Sequence, residues 1–232
     1  MAMDRREFLR GGMGVVVGAP AMGVAVQALL TTPAAAQSGG GAPRPVGQLS
    51  PKPDLRDGQV RLALPEGWTY RSFGVTGDAM SDGVATGGRQ DGMAAFAGPG
   101  NRIRVVRNHE EREAGTPIGD AAKAYDGNTI GGTTTLEIDP VTRELVADWV
   151  SCNGTSFNCA GGTTPWGTWL SCEETVNGPD VGPDFAKNGP DFIEPHGFIF
   201  EVSPEWGPGK HPKAKAIRKV GRFPHEACAV DP

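Results

Sequence analysis

Between Asn158 and Glu174 the chain reads Asn-Cys-Ala-Gly-Gly-Thr-Thr-Pro-Trp-Gly-Thr-Trp-Leu-Ser-Cys-Glu-Glu, placing a thiol, a glycine pair, two tryptophans and two adjacent carboxylates in one short span. The chemistry such a set offers is metal ligation. Cys159 is a soft donor, Glu173 and Glu174 are hard oxygen donors, and Gly161-Gly162 lets the backbone come close to a bound group. The other reading of Cys159 is a disulfide, with Cys152 as its partner; Cys152, Cys159, Cys172 and Cys228 allow three complete pairings. No Cys-x-x-Cys spacing supports a structural zinc site. Alternation along a strand sends neighbouring side chains to opposite faces, so only one of Glu173 and Glu174 points at a site unless the strand has ended before them. The alternative is a solvated pair. Glu110 and Glu226 each follow a histidine, His109 and His225, which are ligands or groups that orient a carboxylate. Asp91 reads as a calcium ligand or a turn residue. Trp166 and Trp169 read as packing between sheets, Trp166 also as the border of a pocket.

The elements that must position these residues are short strands. Val60 to Leu64, Trp68 to Phe73, Arg102 to Arg107, Thr133 to Ile138, Glu144 to Val150, Thr168 to Cys172, Phe198 to Val202 and Ala214 to Val220 carry strand patterns separated by turn residues. No amphipathic helix stands out, although Gly119 to Tyr125 can supply one turn. With 35 Gly and 20 Pro the chain reads as all-β with long loops. It also repeats: Thr135–Pro140 overlays Ile199–Pro204, which puts Glu137 and Glu201 sixty-four positions apart. After each copy come a second strand, a loop with candidate ligands (Asn158-Cys159 or His225-Glu226) and an inner strand, Thr168 to Cys172 or Ala227 to Val230. A fainter copy runs from Gln90-Asp91-Gly92 through Met93 to Phe96, then Ile103 to Arg107 and Asn108-His109-Glu110. Units of this size suit β-propeller blades, whose loops bring ligands distant in sequence to one end of a channel.

The long central motif resembles the signature of the PhoX-type alkaline phosphatases. Asn108-His109-Glu110, Gly131-Gly132-Thr133-Thr134-Thr135-Leu136, His196-Gly197-Phe198-Ile199-Phe200-Glu201-Val202 and Gly221-Arg222-Phe223-Pro224-His225-Glu226-Ala227 match in the same order, over nearly all of Leu55 to Pro232. The resemblance implies about two and a half to three blades of a six-bladed propeller. It implies hydrolysis of phosphate monoesters at a cluster of Fe3+ and Ca2+, in phosphate acquisition. Cys159 and Glu226 would then bind iron and Glu110 calcium, joined by Glu174, Glu173 and Asp91. Asn108 would hydrogen-bond phosphate or bind calcium, its other reading being a turn residue.

The ends of the chain bound this picture. Asp4-Arg5-Arg6-Glu7-Phe8-Leu9-Arg10, a weakly apolar run to Leu30 and Ala34-Ala35-Ala36 read as a twin-arginine export signal over 1–36. Its glycines and proline argue against a membrane anchor, which needs ~20 strongly apolar residues. The expected partners are therefore the twin-arginine translocation machinery and small phosphate monoesters, and the expected location periplasmic or extracellular. Residues 37–54 read as a disordered lead-in and 55–232 as an incomplete propeller domain, a monomer when full length. The last apolar run enters Asp231-Pro232 as Thr135–Pro140 does, without a return strand. The chain is thus expected to be an N-terminal fragment, inactive alone. The net charge is -5, to which residues 1–36 contribute three Arg, one Asp and one Glu, leaving about -6 for the rest. An acidic domain disfavours nucleic acid and suits cations. No Walker loop, dinucleotide fingerprint or Gly-x-Ser-x-Gly elbow occurs. The rival functions are a calcium-dependent propeller lactonase and a non-enzymatic calcium-binding propeller.

Overall fold

A computed structural model describes residues 47–181 and 191–231. The export signal expected over 1–36 and the first ten residues of the lead-in lie outside the described residues. The lead-in's later part contains a strand, β1 (Ser50–Pro53), and β2 (Val60–Leu64) follows. Among the described residues, one compact unit comprises Lys52–Leu62, 69–181 and 191–231, and the other 47–51 and Ala63–Trp68. The candidate chemistry lies wholly in the first.

That unit is all-β, as the alternating patterns require. β3 (Gln90–Ala97), β4 (Ile103–His109), β5 (Gly131–Ile138) and β6 (Leu145–Thr155) form a four-stranded antiparallel sheet in chain order. β7 (Asn158–Thr163), β8 (Trp169–Glu173) and β9 (Ile199–Val202) form a second, three-stranded one. Among the described residues no sheet closes on itself. Val106, Cys152, Trp169, Phe198, Phe200 and Val202 make the main apolar cluster, with Ala94, Phe96, Tyr125 and Trp206 packed against it. Burying Val106, Phe200 and Val202 contributes roughly 1.5–3 kcal/mol each. Gly119 to Tyr125 supplies one 3-10 turn, Ala121–Lys123.

The repeat is present with its strand boundaries moved. Asn158-Cys159, read as a loop, begins β7, and Thr168 to Cys172, read as an inner strand, becomes β8 (Trp169–Glu173), the second strand of that sheet. Two expected strands shrink to isolated bridges, Asp54 with Tyr70 and Phe200 with Ala216. In Lys213-Ala214-Lys215-Ala216 the apolar face is made of alanines, too small to hold a full strand by burial. Ala227 to Val230 is not a strand either.

The two leading hairpins are built alike. β3 pairs with β4 with Gln90 opposite His109, and β7 with β8 with Asn158 opposite Glu173. Each register shifts directly afterwards, between Gln90 and Met93 and between Asn158 and Gly161. Each is preceded by a non-glycine residue in the left-handed region, Arg89 (φ 46°) or Phe157 (φ 53°). The neighbour across that kink closes it: the N–H of Glu110 donates to Arg89 O (2.8 Å) and that of Glu174 to Phe157 O (2.9 Å). Asp91 and Cys159 therefore hold equivalent places, as do Glu110 and Glu174. Bulges of this kind re-aim side chains.

Candidate metal centre

The sulfur of Cys159 and carboxylate oxygens of Glu174 and Glu226 all lie within 4.8 Å of one another. Three separate segments deliver them. Cys159 is buried on β7, Glu174 is half-buried just past β8, and Glu226 is exposed on the segment after Phe223. That last segment lies along β7 through four contacts: Ala160 N–H donates to Glu226 O (3.2 Å), the Cys159 thiol to the same oxygen (3.2 Å) and to His225 O (3.6 Å), and Cys228 N–H to Gly161 O (3.4 Å). On the other side, β3 lies so close to β7 that a Cβ on Gly92 would sit 2.7 Å from Ala160 Cα and 2.8 Å from Cys159 O. A side chain there would displace the cysteine, which is why the position after Asp91 carries none.

Asp91 and Glu110 couple electrostatically to the group. Partial burial and then the charge of Glu110 push the Asp91 carboxyl above its usual range, with Glu226 adding to the effect. Glu174 is pushed up by burial and then by Glu226 and Glu110, against an opposing effect of Arg112. Burial is also the main cause that raises the Cys159 thiol to about 12; Glu226, Glu174 and Asp91 add to it, while the Ala160 N–H opposes it. Arg112 pairs with Glu110 and stands over the Phe157 ring, 4.8 Å from its centroid. Four carboxylates and a thiol beside one guanidinium make a crowded negative field, which a cation relieves.

Two expected site residues serve the structure instead. Glu173 is fully buried. Its Oε1 accepts from Ser156 N–H (3.0 Å) and His196 Nδ1 (2.6 Å), and its Oε2 from Gly197 N–H (2.8 Å) and Phe198 N–H (3.1 Å). With every bonding direction taken, it has none left for a metal. Asn108, expected at the reacting group, is likewise saturated. Its amide donates to Cys159 O (3.2 Å) and Ala160 O (2.8 Å), and its carbonyl accepts from Trp169 Nε1 (2.9 Å) and Ser171 Oγ (2.9 Å). An asparagine has two donors and two acceptor directions, all used here, so Asn108 pins the Cys159 backbone from below.

The histidines have supporting roles too. His109 Nδ1 donates to Gly88 O (2.9 Å) and Nε2 accepts from Thr134 Oγ1 (2.9 Å); burial lowers its pKa to about 4. His225 is buried, stacked on Phe223 at 3.7 Å, with no hydrogen-bond partner for Nε2 among the described residues. His196 lies between Glu173 and Asp126, the latter 3.3 Å from Nε2. Burial alone would lower it, but Glu173 and Asp126 outweigh this and raise its pKa to about 9. Asp126 also accepts from Asn128, Ile193 and Glu194 N–H groups. The sequence reading missed this Asp126–His196–Glu173 chain, since its members are too far apart for any local pattern. All four cysteines are free, so the Cys152 to Cys159 bridge is not formed. Trp169 packs in the core as expected, whereas Trp166 is 63% exposed and donates to Glu201.

The donor set fits the metals that the motif suggests, with one thiolate for a softer ion and clustered carboxylates for a hard one. Residues 47–147 and 141–232 match, as two segments, the model of the family described as alkaline phosphatase PhoX. No curated protein and no solved structure matches the chain.

Proposed function

The chain belongs to the alkaline phosphatase PhoX family, and from that premise we propose that Cys159, Glu174, Glu226, Asp91 and Glu110 hold iron and calcium for hydrolysis of phosphate monoesters. The observation that carries the reading is the meeting of Cys159, Glu174 and Glu226 within 4.8 Å from three segments of the chain. The two antiparallel sheets, read as successive blades of a propeller, account for that convergence. Export, and a role in acquiring phosphate outside the cytoplasm, belong to the same proposal. No described helix is long and apolar enough to cross a membrane.

Bound ions supply positive charge that neutralises phosphoryl oxygens and makes an oxygen nucleophile available at moderate pH. The chain's own residues do the rest. Cys159 would ligate as a thiolate; burial first, and the neighbouring carboxylates after it, favour the protonated thiol in the absence of a cation. Asn108 fixes the Cys159 carbonyl, and Glu173, gripped by three backbone N–H groups, fixes the strand end from which Glu174 projects. Arg112 holds Glu110 by an ion pair.

The test is p-nitrophenyl phosphate hydrolysis by the exported native gene product, supplied with iron and calcium, beside its Cys159→Ala variant and a calcium-chelated sample. The proposal predicts hydrolysis that both changes abolish. A metal-loaded chain that retains calcium, lacks iron and hydrolyses no phosphomonoester would contradict it, in favour of a calcium-dependent lactonase or a binding protein.

A further inference from the structure

Two thiols lie outside the candidate metal group but bracket it. Cys172 on β8 is fully buried in the cluster Leu170, Cys172, Ile199, and Ile217, Cys228 and Val230 pack against that cluster from the C-terminal segment. Cys172 and Cys228 are both free, and Cys228 packs against the cluster that contains Cys172. Cys228 is also fixed in place. Its N–H donates to Gly161 O (3.4 Å), and a Cβ on Gly162 would lie 2.0 Å from its carbonyl oxygen and 3.2 Å from its sulfur. Cys172 stands two residues before Glu174, and Cys228 two residues after Glu226. The segment holding Glu226 has no strand ladder and depends on a few backbone contacts of 2.8–3.4 Å, the shortest from His225 N–H to Glu173 O.

We propose that Cys172 and Cys228 are a redox pair whose disulfide staples the Glu226 segment to β8. The oxidant is a disulfide, either that of a small monothiol, such as oxidised glutathione, or that of an oxidoreductase. The half-buried Cys228 loses its proton and attacks one sulfur of the oxidant, forming a mixed disulfide and expelling one thiolate, which is protonated. Cys172 then attacks the Cys228 sulfur, breaks the mixed bond and expels the second thiol. The protein loses two hydrogens and two electrons with them, and the oxidant becomes two thiols. No metal takes part, so the pair stands or falls separately from the phosphatase reading. The staple ties together two carboxylates delivered by distant segments, so oxidation would preorganise the site for its cations.

The full chain, held in chelator, is equilibrated with oxidised glutathione, alkylated, digested and mapped by mass spectrometry, and its thermal midpoint is compared with that of the reduced form. The expected result is an intact mass about 2 Da lower, a linked peptide joining Cys172 to Cys228, and a midpoint higher by ~5 °C. Cys228→Ser should lose both the peptide and the shift, and the wild-type map decides the question even if that variant folds poorly. Alkylation of all four cysteines, a lasting glutathione adduct on Cys228 without closure, or a linkage through Cys152 or Cys159 would each overturn the proposal.

Discussion

Glu173 and Glu174 are adjacent, carry the same charge and do opposite work. Glu173 is a buried anchor with four bonding partners, whereas Glu174 is half-exposed among other carboxylates. Glu173→Gln should therefore cost about 3–5 kcal/mol in denaturant unfolding, because it leaves His196 without its main counter-charge. Glu174→Gln should leave the metal-free protein as stable as the parent or more so, since it removes a charge that Glu226 and Glu110 oppose, while abolishing metal-dependent turnover. Asn108→Ala should behave like the Glu173 change, with about 2–4 kcal/mol lost, because Trp169 Nε1 and two buried carbonyls lose their partners. Alternation along a strand allows only one of the two glutamates to point at a site, but which one depends on Gly197 and Phe198 amides more than twenty residues away. Cys159, Glu174 and Glu226 stand out in the sequence because their motifs are irregular and local, and the fold brings their donor atoms together. Asp126 and His196 were not, since only the tertiary fold brings them to Glu173.

At the scale of elements, the site is made by kinked hairpins and by backbone approach. Gly92→Ala should push β3 off β7 at Ala160, and Gly162→Ala should collide with the Cys228 carbonyl, 2.0 Å from the new Cβ. Both substitutions are expected to cost about 2 kcal/mol or more and to weaken cation binding, read by chemical unfolding and calcium titration. Gly167→Ala is the control. It has open space around its Cβ, so its cost should be confined to its positive φ and leave cation binding intact. Most strands were readable from alternation and turn residues, and so was the repeat, because Thr135–Pro140 and Ile199–Pro204 are the third strands of their sheets. Ala214 to Val220 was misread because alternation with alanine looks like a strand but buries too little to make one. The strand that begins at Asn158 was missed because its bulge breaks the alternation at Cys159.

For the whole molecule, two buried histidines set opposite limits on stability. His196, raised to about 9 in the fold from 6.5, adds stability that is complete below about pH 6.5 and is lost as pH rises through 9. His109, lowered to about 4, adds stability that is complete above about pH 6.5 and is lost as pH falls toward 4. The metal-free chain should therefore melt highest near neutral pH, with His196→Gln flattening the alkaline limb and His109→Gln the acid limb of midpoint against pH. Above these sits the claim that joins residue, element and fold: that β7, the end of β8 and the segment at Glu226 meet to hold metal. Metal content per chain, measured by mass spectrometry of the full protein after loading with iron and calcium and desalting, tests it most directly. Bound iron should be present in the parent and fall ~10-fold or more in Cys159→Ala. Iron retained at the parent level in that variant, or absent from the parent itself, would contradict it.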